Sequence, residues 1–362
     1  MSLNVKRKNP LKSVAVLLLP FALLFGVIGW IRNALYDYNI IRSARFSLPT
    51  IGVGNLVVGG TGKTPHIEYL IRLLEPYINV ATLSRGYGRK TIGFLPVTTQ
   101  STSEQVGDEP LLLKYKFPPL PVFVGENRAL AIPALLQNNP QVQVVLMDDI
   151  FQHRSVSPYL NILLTEYDLP YFNDFLLPVG AMRESREGAE RGDCIIVTKC
   201  PSTLTAEEEA YYREKLSPLP HQEVFFSTFA YGTPYRLFNT QERLELTPDM
   251  EIILFSGIAG TDYLLTYLKS KVSKIHSLEY GDHHYFTNQE IGSLKVSLDQ
   301  LKVDKKIILT TEKDAVRLAL HRPFILEQNL PIYNLPAEVR FIGSNSDQFD
   351  HYIKNKMLSY KS

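Results

Sequence analysis

The residues most able to do chemistry are Gly59-Gly60-Thr61-Gly62-Lys63-Thr64, reached from Val57-Val58 and followed by Pro65. Small residues in this order let several backbone N–H groups converge on phosphate oxygens, and the helix that follows adds the partial positive charge of its N-terminus. Lys63 then reaches the terminal phosphates and Thr64 is placed to ligate magnesium, so Val57 to Thr64 are the expected nucleotide cradle. The usual motif opens with glycine where this chain has Val57, but the three glycines of the loop supply the needed backbone freedom. A phosphate loop needs an acidic partner at the end of another strand. Val144-Val145-Leu146-Met147-Asp148-Asp149 supplies it, with Asp148 or Asp149 as magnesium ligand.

Weaker clusters accompany these. Ser84-Arg85-Gly86-Tyr87-Gly88-Arg89 puts two arginines in a glycine-rich loop after an expected strand. Gly107-Asp108-Glu109-Pro110, taken by itself, reads as an ordinary helix start rather than a functional site. Arg183, in the loop 177–184, is a candidate for stabilising a transferring phosphoryl group. Asp282-His283-His284 allows a metal site, a base or a cap, and a dedicated zinc site is disfavoured because the cluster stands alone. Thr311-Glu312-Lys313-Asp314-Ala315 follows an apolar run.

These groups must be positioned by alternating strands and helices, the pattern of a parallel sheet with helices on both faces. Strands are expected at 50–54, 80–84, 122–124, 142–147, 160–165 and 195–198, with helices at 65–74, 109–116, 126–137 and 205–216. After turn-forming residues near 218–221 a second series begins, with strands at 223–229, 252–255 and 306–309 and helices near 263–270 and 289–298. The expected fold is α/β: a P-loop NTPase-like parallel-sheet domain over 46–220, a smaller α/β domain over 221–362, and a membrane-anchoring segment over 1–45. The anchor rests on residues 14–31, which carry no charge. Lys6, Arg7, Lys8, Lys12, Arg32, Arg42 and Arg45 flank them against the single acid Asp37. Basic residues on both sides leave open whether the helix crosses the bilayer or lies in one leaflet.

With 362 residues there is length for two ordinary cores. A net charge of +1 offers no global field for nucleic acid. Cys194 and Cys200 lack paired zinc spacing and read as reduced core thiols.

Taken together, these stretches resemble the tetraacyldisaccharide 4′-kinases of lipid A biosynthesis in Gram-negative bacteria. The resemblance runs from the hydrophobic N-terminus through Gly54-Asn55-Leu56 and the phosphate loop, Ser84–Arg89, Gly107–Pro110, Asp148-Asp149-Ile150-Phe151-Gln152-His153, 177–184 and Asp282-His283-His284 to Thr311–Ala315. Ile150-Phe151 and Val179-Gly180-Ala181-Met182 depart from the family pattern and leave its charged residues in place. The resemblance implies transfer of the γ-phosphoryl of ATP, with Mg2+, to the 4′-hydroxyl of a lipid-linked glucosamine disaccharide 1-phosphate at the cytoplasmic face of the inner membrane. It implies a C-terminal domain closing over the nucleotide and so bringing His283 to Asp108, which would act as base with His283 assisting. Arg183 would stabilise the transferring group, and Thr64, Asp148 and Asp149 would organise magnesium. The partners so implied are the lipid substrate and the membrane, without nucleic acid or an obligate protein. The main rival is a membrane-tethered P-loop hydrolase acting as a switch. A non-enzymatic nucleotide-binding adaptor is a further rival. Thr198-Lys199-Cys200 lacks the Asn and Asp of a guanine-reading loop, which weighs against a GTPase.

Overall fold

The computed structural model describes residues 12–343 and 345–361, the side chains of 12–15 excepted. Lys6, Arg7 and Lys8 of the expected anchor lie outside the described residues. The backbone contacts divide the chain into two compact units, neither continuous in sequence. The first comprises the residues through Arg85, Gly125–Phe229 and the C-terminal stretch from Val339; the second comprises Gly86–Val124 and Ala230–Glu338.

In the first unit the strands Glu223–Tyr231, Cys194–Thr198, Leu160–Glu166, Thr50–Asn55, Val144–Asp148 and Val80–Ser84 lie side by side in that order, every pairing parallel. Four of them, Thr50–Asn55, Val80–Ser84, Val144–Asp148 and Cys194–Thr198, are buried at every position. Their runs of Val, Ile and Leu are what a parallel sheet covered on both faces requires. Helix Lys63–Leu74 buries Ile67, Leu70, Ile71 and Leu74. The C-terminal helix Asn345–Leu358 returns to this unit, and its Phe349 stacks on Phe341 with centroids 4.3 Å apart and meets Phe225 edge-on at 5.1 Å. Burying an aromatic of that size contributes about 2–3 kcal/mol.

The N-terminal helix Lys12–Asp37 is longer than its uncharged stretch. Within Val16–Asp37 it has the length and apolarity needed to cross a membrane, and only 6% of its most apolar window is buried in protein. Leu17, Phe21, Leu23, Leu24 and Trp30 are exposed. The helix touches the rest of its unit at Gly26, where a Cβ would come within 2.8 Å of Leu176 Cδ1. Its end is tied more firmly: Asn33 Nδ2 donates to Glu184 Oε2 at 3.1 Å, and Arg154 pairs with Asp37 at 2.7 Å while donating to the Asn33 carbonyl at 2.9 Å.

The second unit holds a parallel core of strands Ile332–Leu335, Lys306–Thr311, Glu251–Ser256 and Lys274–Glu279, extended antiparallel by Tyr235–Arg236 and Asn239–Arg243. Helix Asn288–Gln300 starts with a Thr287/Glu290 capping box. Helix Glu312–Leu318 is capped by Thr311, whose Oγ1 accepts from Asp314 N at 3.1 Å.

Helix Asp108–Lys116 belongs with this second unit, whereas the contiguous division at 220 and 221 put it with the phosphate loop. The reason is its partner: Lys116 pairs with Glu312 at 2.7 Å, Glu109 with Lys313 at 3.2 Å, and Pro110, Leu111, Leu112 and Leu113 are buried.

Candidate active site

The phosphate loop joins strand Thr50–Asn55 to helix Lys63–Leu74. Gly62 takes φ of 87°, which favours glycine, and a Cβ there would meet Phe229 Cζ at 2.6 Å, so both backbone and space exclude other residues. Gly62, at the N-cap of that helix, offers no side-chain cap, and the first turn carries no acid. Its amides are thus left for an anion, the cradle that ATP phosphates fit. Asn55, completely buried, donates from Nδ2 to Thr61 Oγ1 at 2.9 Å, and Thr198 Oγ1 donates to the Thr61 carbonyl at 3.0 Å. His66 buttresses the same turn. Its Nδ1 lies 2.8 Å from the Gly62 carbonyl, which can only accept, so the proton sits on Nδ1 and Nε2 faces Ser227 Oγ at 3.1 Å. Burial lowers the His66 pKa to about 4, against a smaller opposing effect of the Gly62 bond.

Val57 and Val58 differ in placement: Val57 is buried and bridges Met182, while Val58 is exposed and its N–H donates to the Ala181 carbonyl at 2.7 Å. Arg183 N donates to the Leu56 carbonyl at 2.7 Å. This short antiparallel run fixes Arg183 beside the phosphate loop. From there the guanidinium holds Asp149 at two points, Nη1 to Oδ2 at 3.0 Å and Nη2 to Oδ1 at 2.8 Å, and also bonds Asn55 Oδ1. Lys63 Nζ lies 3.6 Å from Asp149 Oδ1.

Asp148 ends its strand buried and Asp149 follows with φ of 50°. Burial opposes ionisation of Asp149, yet Lys63, then Arg183 and Arg128, hold its carboxyl well below the usual range. Thr64, also buried, lies in the first turn of the loop's helix. A hydroxyl and two strand-end carboxyls, one held ionised, are the hard oxygen donors magnesium takes alongside phosphate.

Around this group stand further residues, of which the sequence pointed to Gln152 and His153 but gave no role to Arg128 or Glu184. Arg128 is 1% exposed and donates to the carbonyls of Gly125 at 3.0 Å, Glu126 at 3.2 Å and Asp148 at 3.4 Å, so it pins the end of the acidic strand. Glu184, 3% exposed, accepts from Gln152 at 2.8 Å and pairs with Arg191 at 2.7 Å. Gln152 also donates to the Asn55 carbonyl at 2.9 Å. His153 accompanies them, with burial, then Arg128 and Arg85, lowering its pKa to about 4.

The remaining two expected residues, Asp108 and His283, form a pair inside the second unit. His283 Nδ1 is 3.1 Å from Asp108 Oδ2, and Asp108 is 3% exposed. The expected origin of the two in separate domains does not hold, since both belong to the same compact unit. Lys313, Arg317, Glu109 and Asp282 surround them, with Arg317 Nε 3.5 Å from Asp108 Oδ2.

A parallel sheet whose first strand runs into an uncapped Gly-Lys-Thr helix, with a paired acid at the end of a neighbouring strand, defines a P-loop nucleotide-binding protein. The family described as tetraacyldisaccharide-1-P 4'-kinase matches residues 14–358. The chain belongs to that family. It is 41% identical over 348 residues to the tetraacyldisaccharide 4'-kinase of Bacteroides thetaiotaomicron, covering 93% of this chain and 91% of that one. It is 42% identical to the enzyme of the same name from Flavobacterium johnsoniae, covering 94% and 98%. Among solved structures, LpxK from Aquifex aeolicus, crystallised in complex with ATP, superposes with a TM-score of 0.71 at 27% identity over 95% of this chain and 99% of that one.

Proposed function

We propose that the chain is an ATP-dependent lipid kinase that transfers the γ-phosphoryl group to the 4′-hydroxyl of a tetraacyldisaccharide 1-phosphate in lipid A biosynthesis. The observation that carries this reading is the convergence of Lys63 and Arg183 on Asp149, at the end of a strand parallel to the one that feeds the uncapped phosphate loop. Phosphoryl transfer depends mainly on positioning and charge neutralisation, and two fixed cations beside a phosphate cradle supply both.

The amides of Gly59, Gly60, Gly62, Lys63 and Thr64 hold the phosphates, Thr61 N being bonded to the Gly59 carbonyl at 3.1 Å within the loop, and Lys63 meets the terminal ones. Arg183 stabilises the group in transit. Magnesium, held by Thr64, Asp148 and Asp149, would neutralise charge growing on the phosphate oxygens. Asp108, oriented by His283, takes the proton of the acceptor hydroxyl. The helix Lys12–Asp37 attaches the protein to the cytoplasmic face of the inner membrane, where the acceptor's acyl chains reside; its exposed apolar length supports this reading.

The test is incorporation of labelled γ-phosphate into tetraacyldisaccharide 1-phosphate by the purified protein, with Lys63→Ala alongside. Lys63→Ala should lose on the order of a hundredfold in turnover, the scale of removing one transition-state donor. Nucleotide hydrolysis at the same rate without lipid would overturn the kinase reading in favour of a hydrolase.

A further inference from the structure

Lys313 is the second residue of helix Glu312–Leu318, and its ammonium meets three carboxyl-bearing or imidazole neighbours at once. Nζ lies 3.1 Å from His283 Nε2, 3.2 Å from Glu109 Oε1 and 3.4 Å from Asp282 Oδ1. The loop that carries His283 is clamped to the same helix. Arg317 donates to the carbonyls of Gly257 at 2.9 Å and His284 at 3.0 Å, and Asp314 accepts from Gly257 N at 3.1 Å. His283 itself takes φ of 59°, a conformation rare outside glycine and asparagine. It is held there by its N–H donating to the Gly257 carbonyl at 3.2 Å and to Asp282 Oδ1 at 3.1 Å. The imidazole is therefore presented to Lys313 by a braced backbone.

Resting on the reading of Asp108 as the base, we infer that Lys313 is the positioning residue that sets the protonation state of His283, keeping it neutral with its proton on Nδ1. An ammonium has three donors and no acceptor, so an imidazole nitrogen at hydrogen-bonding distance must offer its lone pair. With Nε2 accepting from Lys313, the single ring proton lies on Nδ1 and is donated to Asp108 Oδ2. Asp108 Oδ1, buried and without a hydrogen-bond partner among the described residues, is then the oxygen left to accept.

The charges around the ring make Lys313 decisive. Asp108 at 3.1 Å from Nδ1 and Asp282 at 3.7 Å from Nε2 both favour an imidazolium. Arg317, which faces Asp108 at 3.5 Å, and Lys313 oppose it, and of these only Lys313 touches the ring. Tyr87, whose ring centroid is 4.7 Å away, completes the surroundings. Lys313 stays charged: burial works against its ammonium, but Glu109, Asp282 and Asp108 outweigh it and raise its pKa. In the transfer step the acceptor O–H breaks, its proton goes to Asp108 Oδ1, and the oxygen's electron pair bonds the γ-phosphorus. The bond from that phosphorus to the bridging oxygen breaks, and ADP keeps the pair. An imidazolium beside Asp108 would draw the carboxylate into an ion pair and weaken it as a base.

Full-length protein in detergent tests this with Lys313→Met and Lys313→Arg. In Lys313→Met the two carboxylates act unopposed, so the acidic limb of the kcat profile should move to higher pH by about one unit, a tenfold deeper loss at pH 6 than at pH 9. Lys313→Arg, still a donor-only cation, should restore the wild-type limb. A uniform loss at every pH, with the limb unmoved, would mark Lys313 as merely structural and overturn the inference. Nitrogen-15 histidine spectra give a readout free of catalysis, with His283 assigned by its disappearance in His283→Gln. Wild type at pH 7 should show a protonated Nδ1 and a bare Nε2, and Lys313→Met an imidazolium. An imidazolium or a protonated Nε2 in wild type overturns the inference whatever the kinetics. Undiminished turnover in Asp108→Asn would retire the base assignment alone, because the spectra still decide what Lys313 does to His283.

Discussion

Arg183 grips Asp149 with both ends of its guanidinium, at 3.0 and 2.8 Å, although 34 positions separate them in sequence. The same guanidinium bonds Asn55, whose other end holds Thr61 of the phosphate loop, so one planar cation links the acidic strand end to the nucleotide cradle. A fork of this shape matches paired oxygens in a way that an ammonium does not.

Arg183→Lys is therefore expected to fail as a conservative change. Turnover should fall on the order of a hundred- to a thousandfold, the cost of losing an oriented donor to developing charge. ATP affinity should change little, because the phosphate loop and Lys63 remain. Single-turnover kinetics together with nucleotide binding measure both, and near-normal turnover would remove Arg183 from the transfer step.

His66 predicts an acid-sensitive fold. Its folded pKa is lowered from 6.5 to about 4, so its contribution is complete above pH 6.5 and is lost as pH falls toward 4, where the unfolded chain binds the proton that the folded chain refuses. The loss is about 3 kcal/mol across that window. His153, depressed to about 4 but less buried, acts in the same direction. Denaturant unfolding of wild type and His66→Gln between pH 7.5 and 4.5 checks it. The variant should start less stable and lose stability less steeply, and parallel curves would contradict the assignment.

Deleting residues 1–32 should release the protein from membranes without unfolding it, since that part of the helix is almost wholly exposed while Asn33 and Asp37 keep their bonds to Glu184 and Arg154. Efficiency should drop with a long-chain acceptor and hold with a water-soluble analogue. Fractionation and thermal unfolding read the two halves. A truncated protein that still pellets with membranes would place the principal attachment elsewhere.

The phosphate loop was legible because geometry dictates its residue types: a left-handed turn against Phe229 permits only Gly62, and the cation and hydroxyl after it have no substitutes. Buried strands such as Val80–Ser84 were legible as apolar runs. Arg128 was not, because the expected helix over 126–137 takes it as one more residue of the first turn; in the structure the helix starts at Arg128 and Asn127 caps it by accepting from Leu130 N at 3.3 Å. Only the fold reveals that the arginine turns back to the Asp148 carbonyl. The strands Lys274–Glu279 and Ile332–Leu335 and the C-terminal helix also escaped, the first because none of its positions is fully buried and charge stands at both its ends. The partner of helix Asp108–Lys116 was beyond reach, since Leu111 to Leu113 announce burial but not the surface that covers them.

The interleaving of the two units sets a timetable for the nascent chain. Asp108 leaves the ribosome about 200 residues before the helix that carries Lys313, a wait of roughly 10–40 s at typical synthesis rates. During that time Leu111, Leu112 and Leu113 have no finished surface to pack on. The phosphate-binding unit waits as well, because Phe341 and Phe349, more than a hundred residues further along the chain, pack on Phe225, and Phe341 also meets Tyr69. Neither unit can mature by itself in order of synthesis. Both close late and almost together, so the interval before residues 312–358 have emerged, rather than the completion of either sheet's first strands, is when this chain is most exposed to aggregation.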